Sequence, residues 1–150
     1  MAGQVAAAAW RIELLDWAGA EPRALPLRVA VFVAEQGVPA DIEHDDWDAT
    51  SVHAVASDHT GQAVGTGRLL PDGHIGRMAV ARAARGRGVG SALLRALMQE
   101  ATRRGHRQVV LHAQRDAAAF YAAHGFQVTG GEFFEAGIVH LPMSRQLGGL

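Results

Sequence analysis

The spacing of hydrophobic positions sets the order of elements. Over residues 91–104, Leu93, Leu94, Leu97, Met98 and Ala101 recur at helical spacing and share one face, with Arg95, Gln99 and Arg103 opposite. Glu100 stands i,i+4 from Arg104, and Gly105 supplies the stop. Elsewhere the period is two. Residues 10–17, 51–57, 62–70, 74–80 and 107–113 alternate or run apolar between turn signals, which predicts strands. Asp58-His59-Thr60-Gly61 joins the second and third of these into a hairpin, and Pro71-Asp72-Gly73 turns the chain into the fourth. The segment LRVAVFVAEQ is ambiguous. Val29, Val31 and Val33 favour a strand by propensity, whereas Pro22 and Pro26 at its start and Gly37 past its end favour a helix; a helix is expected. Residues 38–50 read as an acidic loop. A short helix over 116–124 stops at Gly125, and closing strands at 126–129 and 138–144 flank a loop rich in Gly and Glu. The order β-α-β-β-β-loop-α-β-α-β-β describes one mixed α/β (α+β) domain over 1–150, with an antiparallel meander ahead of the main helix.

Composition narrows the class. The chain is 49% apolar and 19% charged, ordinary values for a folded domain. No apolar run approaches the ~20 residues that span a bilayer, so no membrane partner is expected. The start, MAGQVAAAAW, lacks a basic n-region, so no secretory leader is expected and the expected location is cytoplasmic. There is no cysteine, which removes disulfides, thiolate metal sites and a cysteine nucleophile together. The eight histidines show no H-x-x-x-H or H-E-x-x-H spacing, and no metal is expected. Net charge is −1, but the charges are segregated: residues 1–60 hold ten of the fifteen acids and three of the fourteen arginines. Between Arg77 and Arg107, eight arginines face one acid, Glu100. Such polarity suits a basic face toward an anion and an acidic face toward a cation.

The stretch ARGRGVGSALL sits between the fourth strand and the main helix. A dinucleotide fingerprint needs G-x-G-x-x-G after the first strand of a βαβ unit and an acid about 20 residues on. Here the pattern is G-x-G-x-G, position 91 is Ser, and no acid lies near 106–112. A Walker A loop needs Gly-Lys-Ser/Thr, and the chain has no Lys. One basic loop without interleaved aromatics is a small footprint for nucleic acid, and no nucleic-acid partner is expected. A strand, a glycine loop and a helix N-terminus in series still make an anion seat: the first helical N–H groups lack internal partners, and glycines let an anion reach the backbone. A tight turn that needs glycine for its dihedrals is the plainer alternative.

The segment RMAVARAARGRGVGSALL resembles motif A of the GNAT superfamily of acyl-CoA-dependent N-acyltransferases, whose loop signature Arg/Gln-x-x-Gly-x-Gly/Ala is matched by Arg85, Gly88 and Gly90. FYAAHGF resembles the family's later motif, a helical Tyr ahead of Gly-Phe. VFVAEQGVPADIEHDDWD and GIVHLPM look like a subgroup of small bacterial members, so the matches run from about residue 12 to 144. The resemblance implies a mostly antiparallel, six- to seven-stranded sheet splayed open in the middle and flanked by about four helices, with acyl-CoA in the splay. It implies that the backbone of Met78, Ala79 and Val80 hydrogen-bonds the pantetheine arm. It also implies that the N–H groups of Arg85, Gly86, Arg87, Gly88, Val89 and Gly90, with Ser91, hold the pyrophosphate. Many members carry Asn at the start of the fourth helix; this chain departs from them with Gln114-Arg115-Asp116.

The implied reaction moves an acetyl group from acetyl-CoA to the primary amine of a small molecule, peptide or protein. By analogy a β4 N–H such as that of Ala79 faces the thioester oxygen, and Tyr121 is the expected acid for the departing thiolate. Glu35, His140 and His112 are candidates for the base. Without Cys, direct attack in a ternary complex is expected over an acyl-enzyme. The acids Asp41, Glu43, Asp45, Asp46 and Asp48 are expected to form a rim that attracts a cationic amine, with Trp47 as an apolar wall or cation–π face. A homodimer is a family-level expectation, and a non-catalytic acyl-CoA-binding module is the alternative function.

Overall fold

The computed structural model describes residues 10–40 and 45–148. Its strands are β1 (Arg11–Leu15), β2 (Val52–Ser57), β3 (Ala63–Leu69), β4 (His74–Val80), β5 (Gln108–Gln114), β6 (Gln127–Val128), β7 (Phe133–Glu135) and β8 (Ile138–Gln146). They form one sheet in the order β1-β2-β3-β4-β5-β8-β6, with β7 paired to β8. Neighbours are antiparallel except β4 and β5, which run parallel. The α-helices are α1 (Trp17–Arg28), α2 (Val89–Arg103) and α3 (Ala118–Ala123). The expected mixed, mostly antiparallel architecture is present, with one strand more and one helix fewer.

Two boundaries differ from the sequence reading for identifiable reasons. The first strand ends at Leu15 because the Asp16 side chain accepts the Gly19 N–H at 3.0 Å and caps a helix there. Pro22 and Pro26 therefore lie inside α1 rather than at its start. Beyond Arg28 the helix widens into π turns over Val29–Glu35, and the Gln36 N–H reaches back five residues to the Val31 carbonyl at 3.1 Å. The second boundary is the loop after α3, which holds β7 as an extra strand.

The two helical layers sit on opposite faces of the sheet. Ala20 and Ala24 of α1 pack on Val55 of β2, whereas Ala54 and Ala56 face α2. Leu93, Leu94 and Leu97 of α2 are fully buried, each worth about 1.5–3 kcal/mol of apolar burial. The helix lies low over β3 because Gly65 and Gly67 have no side chains. A Cβ at Gly65 would come within 2.7 Å of Val89 Cγ1, and one at Gly67 would collide with Met78 Sδ.

The sheet opens between β4 and β5. These strands share two rungs, His74↔Val110 and Ile75↔Leu111, whereas β5 and β8 pair from Gln108 to Gln114. Past Ile75 the strands part. In the same place the register against β3 slips: Arg68 faces Gly76, but Thr66 faces Ala79, so β4 carries an extra residue. Arg77 takes the left-handed region there, with φ of 50°. A non-glycine residue in that region costs about 1–3 kcal/mol, a form of strain found at bulges that redirect a strand.

Candidate active site

The wedge between β4 and β5 is a cavity of about 760 Å³. Its walls are residues 76–80 of β4, His112 and Gln114 of β5, Phe32 and Glu35 of the π turns, and Glu135, Ala136, Ile138 and His140 of the β7–β8 hairpin. A groove of about 490 Å³ at the glycine loop shares Met78, Val80, Arg85, Ala117 and Tyr121 with it. Strand alternation decides which peptide groups face the wedge. The Ala81 N–H bonds to the Val64 carbonyl at 2.8 Å, so the peptide groups of Ala79 lie on the β3 side. Those of Met78 and Val80 lie on the open edge.

The glycine loop has the form of an anion seat. Gly86 and Gly88 adopt φ of 76° and 86°, and a Cβ at either would meet nothing within 4 Å. The first helical bond of α2 runs from the Ala92 N–H to the Gly88 carbonyl at 3.1 Å, and no side chain caps this end. The N–H groups of Val89, Gly90 and Ser91 thus point out of the helix at its positive end. This donor set fits a diphosphate. Gly90 faces Phe120, where an added Cβ would make an ordinary contact at 3.4 Å with Cζ. Arg87 lies outside the groove lining, and its carbonyl accepts from Trp10 Nε1 at 3.3 Å. The Ser91 hydroxyl is 2.8 Å from His124 Nε2.

The acidic N-terminal half is laid against the arginine-rich half, and this revises the expected rim. Asp48 is 1% exposed and pairs with Arg28 at 2.8 Å and Arg68 at 3.1 Å. Asp45 pairs with Arg68 at 2.7 Å and Arg77 at 3.0 Å. These two carboxylates are thus neutralised by arginines within the fold, while Asp46 is exposed. Trp47 lines the cavity as expected, and Asp41 and Glu43 lie outside the described residues.

Of the expected catalytic residues, Tyr121 sits where the two cavities meet, buried and edge-on to Phe120 and Phe126 at 5.0 and 5.8 Å. Burial pushes its phenol up to about 12. Glu35 is ion-paired to Arg85 at 2.9 Å and to Arg82 at 3.5 Å. The Arg85 hydrogen bond, aided by both guanidinium charges, holds its carboxyl below the usual range, which makes it a weak base. Arg85 also donates Nε–H to the Val80 carbonyl at 3.0 Å. His140 Nδ1 lies 2.7 Å from the Ile138 carbonyl. A carbonyl can only accept, so Nδ1 carries the proton and Nε2 is left as a lone pair. His112 is half-exposed, with Nδ1 3.0 Å from Glu135.

Sequence reasoning gave no site role to four contributors. Gln36 and Gln114 join their side-chain amides in the cavity lining, with Gln114 Nε2 donating to Gln36 Oε1 at 2.8 Å. Phe120 lines the groove beside Gly90. Glu135 reaches the cavity because Ala136 and Gly137, with φ of 52° and 78°, turn β7 into β8. Two successive positive φ values mark the type I′ hairpin that prefers Asn-Gly. Ala136→Asn is expected to stabilise the protein by about 0.5–1 kcal/mol, seen as a raised urea midpoint with unchanged m.

Among the described residues, no three His, Asp or Glu side chains converge as a metal site requires, and no helix is long and apolar enough to cross a membrane.

Known proteins resemble the chain over most of its length. A family model for an acetyltransferase (GNAT) domain matches residues 22–147. YjcF of Bacillus subtilis (strain 168), an uncharacterized N-acetyltransferase, is 39% identical over 123 residues, covering 79% of this chain and 87% of its own. A crystal structure from Lactobacillus plantarum is 34% identical and superposes with a TM-score of 0.84 over 93% of this chain and 99% of that one. An acyl-CoA N-acyltransferase from Pseudomonas aeruginosa is 31% identical, with a TM-score of 0.81 over 91% and 99% of the two chains.

Proposed function

Because the chain belongs to the GNAT acetyltransferase family, and is therefore an acyltransferase that uses acyl-CoA, we propose that it transfers acetyl from acetyl-CoA to a primary amine by direct attack in a ternary complex. The observation that carries this reading is the continuity of the cavities: the glycine seat, the open edge of β4 and the wedge share one lining, with Tyr121 at the junction.

Bound acetyl-CoA supplies an activated acyl group and a thiolate leaving group. The chain's own residues supply the rest. The N–H groups at the start of α2 hold the diphosphate, with Gly86 and Gly88 clearing the approach. The peptide groups of Met78 and Val80 hold the pantetheine arm, and their N–H groups, rather than that of Ala79, are the donors for the developing oxyanion. Arg85 must release the Val80 carbonyl if the arm is to use it. His140 Nε2 takes the ammonium proton, since Glu35 is committed to two arginines. As the C–S bond breaks, Tyr121 gives its hydroxyl proton to the leaving sulfur and is reprotonated by the second proton, which the nitrogen sheds on becoming the amide.

Free thiol released from acetyl-CoA by a panel of amines (alkylamines, amino acids, polyamines, aminoglycosides and peptide N-termini) tests the proposal. Amine-dependent release supports it. Saturable binding of acetyl-CoA without release by any amine supports the alternative, a non-catalytic acyl-CoA-binding module. Longer acyl-CoA donors in the same assay resolve the acyl preference.

A further inference from the structure

Glu135 has no part in the scheme above, yet its carboxylate faces both imidazoles of the wedge. Oε2 lies 3.0 Å from His112 Nδ1, and Oε1 lies 4.0 Å from His140 Nε2. Both histidines and Glu135 line the same cavity as Tyr121. One phenyl ring fixes both imidazoles: Phe133, opposite His140 in the β7–β8 register, stacks on His140 at 5.8 Å and meets His112 edge-on at 5.0 Å. His140 is the buried member of the three, and Glu135 and His112 are both half-exposed. The His140 side chain is 9% exposed, that of Glu135 48%, and that of His112 43%. The strained Ala136–Gly137 turn directly after Glu135 is what carries the carboxylate to this position.

The other titratable and charged groups on this cavity are spoken for. His74 on β4 is edge-on to His112 at 6.1 Å and pairs with Asp72 at 2.9 Å. Asp45 is paired with Arg68 and Arg77, and Glu35 with Arg85 and Arg82. Tyr121 on α3 keeps its proton, and the Gln36–Gln114 amide pair is neutral. Glu135 is thus the carboxylate that an imidazolium at position 140 would face.

We propose that Glu135 is a positioning residue for deprotonation of the acceptor amine. One proton passes from the ammonium nitrogen to His140 Nε2. The nitrogen keeps the electron pair that attacks the acyl carbon. Glu135 stays ionised, forms no covalent bond, and stabilises the imidazolium across the gap from Oε1. His112 holds Oε2 and so fixes the carboxylate in place. The proton then leaves His140 to water on the exposed side of the hairpin, regenerating the base. This inference rests on the acyl-transfer reading.

Glu135→Gln tests it, an isosteric change at a half-exposed position. The pH profile of kcat is measured with an amine from the panel that turns over, together with KM for acetyl-CoA. Loss of the carboxylate weakens His140 as a base and destabilises its imidazolium. The expected result is a plateau lowered about tenfold, a rising limb displaced toward lower pH, and KM for acetyl-CoA unchanged. A lowered plateau with an unmoved limb would make Glu135 merely structural and overturn the proposal. An unchanged profile overturns it as well. A wild-type protein that releases no thiol with any amine of the panel marks failure of the acyl-transfer reading instead, a different result from failure in the variant alone.

Discussion

Tyr121→Phe is expected to lower kcat about tenfold or more while leaving KM for acetyl-CoA and the thermal midpoint almost unchanged. The phenylalanine ring keeps the edge-on contacts to Phe120 and Phe126, so packing is retained and only the hydroxyl is lost. Burial lifts the phenol to about 12. The same desolvation raises the proton affinity of a thiolate leaving into this space. In the proposed mechanism the hydroxyl therefore keeps its proton until charge develops on the sulfur, and then donates to it. An interaction made only as the bond breaks lowers kcat rather than binding. Steady-state kinetics with a saturating amine read the effect, and an unchanged kcat would remove Tyr121 from the mechanism.

Asp48→Ala carries the largest expected loss of stability, about 3–5 kcal/mol, as for removal of one partner from a buried ion pair. Arg28 and Asp48 are each 1% exposed and meet through two bonds of 2.8 and 3.0 Å, and Arg68 adds a third to Asp48. The substitution leaves two buried guanidiniums without the carboxylate they share. Against a total stability of about 5–15 kcal/mol, this is a drop of roughly 2 M in the urea midpoint. Burial alone would raise the Asp48 carboxyl, but Arg28 and Arg68 outweigh it and hold it at about 2. Its folded pKa lies below its unfolded value of about 3.9, so the stabilisation is fully present above about pH 4 and is lost as pH falls toward 2. Acid unfolding should therefore be steep in that window for the wild type and shallower for Asp48→Ala. Equal slopes for the two would show that Asp48 does not control acid stability.

The sequence made some of this legible and hid the rest, for physical reasons. Leu93, Leu94, Leu97 and Met98 announce α2 because a helix that packs on a sheet buries one continuous stripe. The spacing of Gly86, Gly88 and Gly90 exposes the anion seat, since backbone donors need glycine to be reached. Asp16 is hidden as a cap because Ile12 and Leu14 alternate right up to it, and Pro22 reads as a helix start although it is the sixth residue of one. Strand β7 escaped because its turn is Ala136-Gly137, without the Asn or Asp that marks a type I′ hairpin, and Glu135 escaped with it. Asp45 and Asp48 read as a rim for a cationic amine because their ion-pair partners lie 20 to 32 residues away in sequence. The splay itself depends on the bulge at Arg77, a non-glycine residue with no local signal for a left-handed conformation.

In the proposed scheme the donor end of the cleft is built mainly from main-chain groups: the N–H groups at the start of α2 and the open edge of β4. Such a seat tolerates substitution of most of its side chains, provided the glycines and the strand geometry stay. The wedge at the other end is walled by side chains from the π turns, β5 and the β7–β8 hairpin, and each replacement there reshapes it. Mutational drift can therefore retarget the acceptor while the donor stays the same, which makes the hairpin and the π turns the places to randomise when altering amine selectivity in this scaffold.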